Sequence, residues 1–393
     1  MNNIIYMDNA ATTALKPEVF EKMKPFLINN YANPSAVYSF AQEAKAAVDN
    51  SRDTIAQLIG ARSNEIYFTC GGSESDNWAI KATALALKDK GNHIITSKIE
   101  HHAVLHTCEF LEKNGFEVTY LDVDENGFIS LSQLEEAIRP TTILISIMYA
   151  NNEIGTIEPV KEIGKVAKEH DILFHTDTVQ AFSHIPINVN ECNIDMMSVS
   201  GHKFHGPKGV GFLYIRNSIK IGAFIHGGAQ ERARRAGTLN VAGIVGMACA
   251  AKLAHENMEQ NISYTTKLRD YFIQRVENEI KHVKLNGDRQ KRLPNNINFC
   301  IEFVEGESLL IMLDQKGICA SSGSACTSGS LDPSHVLTAI GLTQEQAHTC
   351  IRLSISEDTT KEEVDFVVDE IKRVCERLRS MSPLYGEYVK NNS

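Results

Sequence analysis

A lysine and an aspartate in the middle of the chain each follow an apolar, strand-like run. Lys203 lies in SGHK (200–203) after DMMSV, and Asp177 ends the run ILFHTD. A lysine amine that loses its proton can bind an aldehyde cofactor as a Schiff base, and a carboxylate can keep the ring nitrogen of pyridoxal phosphate protonated. Taken singly, Lys203 is more simply a surface lysine and Asp177 a helix N-cap. Their order, each at the end of an apolar run, favours the cofactor.

Polar residues also follow three other strand-like runs. Gly72 and Ser73 lie in CGGSES (70–75), between EIYFT and a helical pattern, where backbone N–H groups and a hydroxyl suit a single phosphate. The spacing matches neither of the glycine-rich nucleotide motifs. His101, after HIITS, could stack on a pyridine ring and transfer protons, and Asn152, after ILISIM, could hydrogen-bond a ring hydroxyl. The simpler alternatives are a helix-capping turn and a histidine at a helix start, and we interpret the adjacent His102 as structural.

Two residues of the last third could act on a substrate. Cys326 lies in SSGSACTSGS (321–330), whose small polar residues predict an exposed, mobile loop suited to a reactive thiol. An idle exposed thiol would be an oxidation liability, which argues against an incidental cysteine. Arg352, in IRLSI, could bind a carboxylate through a two-point fork, although a salt bridge at a strand edge is the commoner role of an arginine.

Strand-like runs alternate with helical patterns from about residue 64 to 215, which predicts βαβ units around a mainly parallel sheet flanked by helices. The expected strands are 65–69, 93–97, 117–121, 143–148, 172–176, 195–200 and 211–215. The last third has a helical stretch at about 241–281, strands in NNINFCIEF and at 351–355, and a closing helix over 361–378. We therefore predict a large α/β domain over 15–258 and a smaller α+β domain built from 1–14 and 259–393, which carries the cysteine loop at about 321–332.

Bulk properties exclude several classes of protein. The 393 residues exceed what one hydrophobic core organises, and a net charge of 39 − 49 = −10 disfavours nucleic acid and anionic membranes as partners. No apolar run approaches the length of a membrane span, and the first residues lack a secretory pattern. Nine cysteines without CxxC spacing predict reduced thiols and no intrinsic metal site. We expect a cytoplasmic enzyme.

Together, these segments resemble the cysteine desulfurase family, which has the fold-type-I, class V aminotransferase-like architecture of transferases that depend on pyridoxal 5'-phosphate. The resemblance runs nearly end to end, and SSGSACTSGS is similar to the long-cysteine-loop branch that supplies iron–sulfur cluster assembly. It covers YMDNAATT (6–13), NPS (33–35), FTCGGSESDN (68–77), EHHAVL (100–105), NNEIG (151–155), HTDTVQ (175–180), SGHKFHGPKG (200–209), GGAQERARRAGT (227–238), SSGSACTSGSLDPSHVL (321–337) and IRLS (351–354).

The resemblance implies a role for each matching residue. Lys203 would hold the cofactor and move the α-proton, Asp177 would pair with the ring nitrogen, and His101 would stack on the ring. Cys326 would take sulfur from L-cysteine as a persulfide, releasing L-alanine, and could transiently contact a cluster or its iron. Around them, Gln180 and Asn152 would contact the ring hydroxyl side; Gly72, Ser73, Ser200 and His202 would hold the phosphate, with Thr238 from the other subunit of a homodimer; Arg352 and Asn33 would bind the substrate.

Departures from the family pattern are few. Many members have Thr where Ser73 stands, His where Tyr38 stands and Gly where Ala229 stands. Serine keeps the hydroxyl, so phosphate binding should survive. The expected sulfur acceptor is an iron–sulfur scaffold or another protein. The alternatives are an aminotransferase, a selenocysteine lyase and a non-catalytic scaffold; transamination needs no thiol, and a scaffold has no use for a complete catalytic set.

Overall fold

Twelve strands form three sheets in the computed structural model, which describes residues 4–322 and 333–392. The strands are β1 (Ile5–Tyr6), β2 (Ile66–Thr69), β3 (His93–Ser97), β4 (Glu117–Leu121), β5 (Thr142–Ser146), β6 (Leu173–Asp177), β7 (Met196–Ser200), β8 (Gly211–Ile215), β9 (Val283–Leu285), β10 (Asn296–Ile301), β11 (Ile318–Cys319) and β12 (Cys350–Ser354).

The largest sheet has seven strands in the order β2-β8-β7-β6-β5-β3-β4. Its strands pair in parallel except β8, which is antiparallel to both neighbours. Several strands, such as β3 and β5, are buried along their whole length, as expected for apolar runs covered by helices on both faces. The predicted mainly parallel α/β sheet is therefore confirmed, with strand ends within one or two residues of those expected from the sequence.

In the described part of the chain, fourteen helices surround these sheets. They are α1 (Pro17–Ile28), α2 (Phe40–Leu58), α3 (Gly72–Leu87), α4 (His102–Glu112), α5 (Leu131–Ala137), α6 (Val160–Glu169), α7 (Gln230–Ala233), α8 (Val241–Glu256), α9 (Met258–Glu279), α10 (Gly306–Asp314), α11 (His335–Ala339), α12 (Gln344–Ala347), α13 (Lys361–Met381) and α14 (Pro383–Asn392). The helical stretch expected at 241–281 is divided into α8 and α9 at Asn257, and α14 was not predicted. No helix among the described residues is long and apolar enough to cross a membrane.

The carboxyl-terminal third has its own apolar core. β9, β10 and β12 form an antiparallel sheet whose apolar side chains pack with those of α9, α10 and α13. The chain's beginning reaches this region, because β1 pairs in parallel with β11 and Met7 is buried in the same core. The domain boundaries near residues 15 and 258 stay a prediction.

One cysteine pair corrects the expectation that every cysteine is a free thiol. Cys300 on β10 and Cys350 on β12 are bonded as a disulfide, because the antiparallel register places these two residues opposite each other. They are 50 residues apart in sequence, so their spacing gave no signal of the pairing. The other cysteines that the structure describes are free.

Candidate active site

A cavity of about 370 Å³ opens at the carboxyl ends of β6 and β7. Ligand sites of parallel α/β sheets form at this edge because the strand ends and the loops that follow them converge there. Most of the predicted site residues line this one cavity: Gly72, Ser73, His101, Asn152, Asp177, Gln180, Ser200, His202, Lys203 and Arg352.

Lys203 lies on a short 3-10 turn, Gly201–Lys203, directly after β7. Its Nζ donates to the carbonyl oxygens of Ala10 (2.6 Å) and Ala11 (2.9 Å). The turn is anchored to residues 8–13, which we call the N-terminal arm, since Thr13 Oγ1 donates to the His202 carbonyl at 3.0 Å. The arm therefore fixes where the lysine amine lies in the cavity.

Asp177 is the last residue of β6 and is nearly buried. The Val179 N–H donates to Asp177 Oδ1 at 2.8 Å. Burial raises the pKa of this carboxyl, whereas the Val179 N–H and the positive charge of Lys203 lower it. Nearby, Gln180 Nε2 donates to the Ala10 carbonyl at 2.9 Å, so that oxygen orients both Gln180 and Lys203.

The N-terminus of α3 forms the end of the cavity that suits a phosphate. Gly72 and Ser73 begin this 16-residue helix and line the cavity, where the helix dipole and unpaired N–H groups attract an anion. A Cβ on Gly72 would lie 2.5 Å from Val179 Cγ2, so a side chain there would force a shift. His202 also lines the cavity. Its Nδ1 is 3.1 Å from Thr12 Oγ1, and burial lowers its pKa to about 4, which leaves the imidazole neutral.

His101 is the N-cap of α4. Its Nδ1 accepts from the Ala103 N–H at 3.1 Å, so the proton of the neutral ring is on Nε2. Burial, followed by the nearby charge of Lys203, lowers its pKa to about 4. The cavity therefore faces a neutral imidazole of defined tautomer at neutral pH.

Arg352, on β12, is the positive group on the other side of the cavity. Its guanidinium donates to Asp8 Oδ1 at 2.8 Å and to the Asn152 carbonyl at 3.1 Å, and it is 2% exposed. Its backbone also pairs with Ser321, whose N–H donates to the Arg352 carbonyl at 3.0 Å. The residue that could bind a substrate carboxylate thus also anchors the chain just before residue 323.

Four lining residues were missed as site residues by the sequence reasoning. Glu153 is buried and accepts from Ser334 Oγ at 2.6 Å, and burial raises its pKa. His335 is close to His102, with ring centroids 4.6 Å apart, and lies within 2.9 Å of the Glu100 carbonyl through Nε2. Asp76 lines the cavity from α3. All four residues lie inside segments that resemble the family: Asp76, His102, Glu153 and His335. These segments, combined with helical periodicity, were the signal that could have identified them as site residues.

Two predicted residues, Asn33 and Thr238, do not line the cavity, and a third, Cys326, cannot be placed. Asn33 and Thr238 are exposed and do not line it, and Asn33 Oδ1 accepts from the Ser35 N–H at 3.0 Å instead. Cys326 lies outside the described residues. The roles proposed for these three stay predictions.

Comparison with known proteins decides the family. The sequence model of the class-V aminotransferases matches residues 5–367. The chain is 55% identical over 393 residues to a protein named cysteine desulfurase IscS from Clostridium botulinum, covering 100% of this chain and 99% of that protein. It is 56% identical over 391 residues to one of the same name from Dictyoglomus turgidum, again covering 100% and 99%. The chain belongs to the cysteine desulfurase family of class-V aminotransferases.

Solved structures agree with this membership. A NifS-like protein superimposes with a TM-score of 0.90 and 36% identity, covering 95% of this chain and all of that one. SspA in complex with cysteine superimposes with a TM-score of 0.81 and 41% identity, covering 90% and 99%. The predicted fold class and family are confirmed.

The predicted cofactor, pyridoxal phosphate, is likewise confirmed by family membership, and the cavity of this cysteine desulfurase fits it. A helix N-terminus with Gly72 and Ser73 suits the phosphate, Asp177 suits the ring nitrogen, and Lys203 Nζ suits the aldehyde. Asp76 Oδ1 is buried and has no hydrogen-bond partner among the described residues, as expected where a polar ring completes the cavity.

Proposed function

We propose that this enzyme converts L-cysteine to L-alanine and transfers the sulfur to Cys326 as a persulfide. The observation that carries the proposal is one cavity that combines Lys203, Asp177 and His101 with Arg352, whose backbone tethers the segment containing Cys326. The names of the relatives at 55% and 56% identity, and the cysteine complex of SspA, support the substrate.

Lys203, Asp177 and His101 would hold the cofactor, with the phosphate at Gly72, Ser73, Ser200 and His202. When bound, pyridoxal phosphate withdraws electrons from the carbon atoms of the substrate. Lys203 Nζ would then move the α-proton, for which the Ala10 and Ala11 carbonyls keep the amine in place. His101 would stack on the ring and present its Nε2 proton to the substrate side.

Arg352 would bind the substrate carboxylate. The guanidinium is buried, so a charge-assisted hydrogen bond there is little screened by water. Asp8 already orients it at 2.8 Å, which reduces the conformational freedom lost on substrate binding. Asn33 would assist, although it lies outside the cavity of a single chain.

Cys326 would attack the substrate sulfur as a thiolate. An S–S bond forms, the C–S bond breaks, and its electron pair stays on the substrate carbon, which takes a proton to give alanine. Cys326 is five positions after Ser321 in the sequence, so the two Cα atoms are at most about 18 Å apart in any conformation. Because Ser321 pairs with Arg352, this short connection supports our proposal that the thiol acts at the cavity.

The active unit would be a homodimer. Large apolar side chains are exposed on α1, α2 and the connection between them, among them Tyr31 and Val37, at 73% and 95% exposure. An exposed apolar surface of this kind is expected at a subunit interface. Thr238, which is exposed and outside its own cavity, would contact the phosphate in the partner's site.

The persulfide must then be passed on, and an iron–sulfur scaffold or another sulfur-acceptor protein would receive it. Among the described residues, six free thiols outnumber the two cysteines of the Cys300–Cys350 disulfide, and the reaction needs reduced cysteine. Both favour a reducing compartment, which we propose is the cytoplasm.

The decisive experiment supplies L-cysteine and a reductant to the purified enzyme and quantifies alanine and sulfide together. Equal amounts of both are expected, and the enzyme treated with cysteine alone should carry an extra sulfur on the peptide containing Cys326. Pyruvate, or an amino group transferred to an oxo acid without sulfide, would instead identify a lyase or an aminotransferase.

A further inference from the structure

A second carboxyl lies in the cavity beside Asp177, and the mechanism above does not use it. Asp76, in the second turn of α3, is 1% exposed and lines the same cavity. A buried carboxylate without a cation is expensive, so such a group either finds a partner or takes up a proton.

The surroundings of Asp76 provide hydroxyls and an imidazole. His175 lies on β6 two residues before Asp177, hence on the same face of the sheet, and its Nε2 is 3.7 Å from Asp76 Oδ1. The ring is held between two serines, with Nδ1 2.8 Å from Ser146 Oγ and Nε2 2.9 Å from Ser198 Oγ. Burial lowers the pKa of His175 to about 3, so the ring is neutral and supplies no cation.

The other charged neighbours of Asp76 are acidic. Burial is the largest cause that raises its pKa, the negative charge of Asp177 adds to it, and Glu100 adds less, while the Ser198 hydroxyl opposes them. Asp177 differs because the Val179 N–H and Lys203 both stabilise its charge. Of the two carboxyls, Asp177 is therefore the better place for a negative charge.

We propose that the buried carboxyls of Asp76 and Asp177 together hold one proton, with the proton on Asp76 and the negative charge on Asp177. Asp76 is then a positioning residue. It keeps the pair singly charged, and it can carry the negative charge itself when Asp177 cannot. The inference deepens the proposed function, since it rests on Asp177 being the partner of the ring nitrogen.

The test is a double-variant cycle on the dissociation constant of pyridoxal phosphate, measured by equilibrium dialysis. Asp76→Asn should raise the constant no more than about threefold, because the charge stays on Asp177. Asp177→Asn should raise it about 100-fold. In the double variant neither of these two carboxyls is left to carry the charge, and the constant should rise at least tenfold beyond the product of the two single effects.

Glu158→Gln is the matched control, because Glu158 is also buried with a raised pKa but does not line the cavity. When Glu158→Gln is combined with Asp177→Asn, the dissociation constant should change by the product of the two single effects. The infrared difference between the wild-type holoenzyme and Asp76→Asn should contain a protonated carboxyl band, and Asp76→Leu replaces Asp76→Asn if the latter does not fold.

Each outcome that contradicts the proposal identifies a different error in it. If Asp177→Asn leaves the dissociation constant unchanged, Asp177 is not the ring partner and the proposed function needs revision at that residue. If Asp177→Asn weakens binding but the double variant is only multiplicative, or if the carboxyl band is missing, the shared proton is wrong and Asp177 keeps its role. If Asp76→Asn is the more damaging single change, the charge resides on Asp76.

Discussion

One wall of the cavity comes from neighbouring elements of the seven-stranded sheet, and the other comes from segments far apart in sequence. The sheet wall, formed by Asp177, Ser200 and Lys203 with the start of α3, is set by strand ends and tight turns. The opposite wall, formed by Asn152, Glu153, His335 and Arg352, depends on the Arg352–Asp8 ion pair, whose members are 344 residues apart. The sheet wall is suited to the cofactor, and the opposite wall to the substrate and the thiol. Changes to one wall should therefore alter a different step from changes to the other.

Lys203→Ala breaks the sheet wall and should have the largest effect. Among the residues that the structure describes, no other lysine lines the cavity, so sulfide production should fall by about 10,000-fold. Borohydride reduction followed by peptide mapping should find the pyridoxyl group on Lys203 of the wild type and on no lysine of the variant. Lys208→Ala, an exposed lysine in the same stretch, is the control and should retain activity. A pyridoxyl group on any other wild-type lysine would contradict the assignment.

Cys326→Ser tests whether the Cys326 thiol attacks the substrate that the opposite wall is proposed to bind. Serine cannot store sulfur and is a poor nucleophile toward it, so sulfide should fall by about 1,000-fold. The sheet wall is untouched, so the absorbance of the bound cofactor should still change when cysteine is added. Cys249→Ser, at a half-buried thiol on α8, should behave as wild type. Wild-type rates of alanine and sulfide from Cys326→Ser would refute the proposed mechanism.

Arg352→Ala removes the positive charge of the opposite wall. Loss of a two-point, charge-assisted hydrogen bond to the substrate carboxylate at a buried site should weaken the apparent binding free energy of cysteine by about 2–4 kcal/mol. The absorbance of the bound cofactor should stay nearly constant, because the guanidinium is held by Asp8 and the Asn152 carbonyl, on the wall suited to the substrate. Steady-state kinetics measure the KM, with Arg275→Ala on α9 as a remote control. An unchanged KM would give Arg352 a structural role.

The neutral His101 predicts a smaller, pH-dependent effect on stability. Its pKa is lowered to about 4 from about 6.5 in an unfolded chain. The unfolded chain therefore binds an additional proton as the pH falls through this interval, and the folded protein does not. The contribution of neutral His101 to the free energy of unfolding is complete above pH 6.5, and about 2 kcal/mol of this contribution should be lost by pH 5.

His101→Asn should remove the contribution of His101 to the loss of stability at low pH. In thermal melts of the cofactor-free protein, the drop in Tm between pH 7.5 and pH 5 should be smaller in the variant by about 2 °C. The buried His93 and His175 and the half-buried His202 keep their own contributions, and substitution of the exposed His170 by Asn should leave the drop unchanged. An equal drop in wild type and His101→Asn would show that His101 is not held neutral.

The sequence predicted the sheet wall well and the opposite wall only partly. Lys203 and Asp177 follow buried strands, and in a parallel sheet such ends meet at one edge, so their proximity follows from local pattern. Asp8 and Arg352 gave no comparable local signal, because an antiparallel carboxyl-terminal sheet and the N-terminal arm bring them together. The Cys300–Cys350 disulfide was missed for the same reason, since strand register decides which distant cysteines face each other.

The N-terminal arm has a consequence for the order in which the protein is made. Residues 8–13 contact both walls, through Asp8 to Arg352, Ala10 to Lys203 and Thr13 to the His202 carbonyl. Arg352 is synthesised 344 residues after Asp8, which takes about 20–70 seconds at 5–20 residues per second. Until then the arm has no Arg352 to bind, so the active site is among the last parts of a nascent chain to be completed.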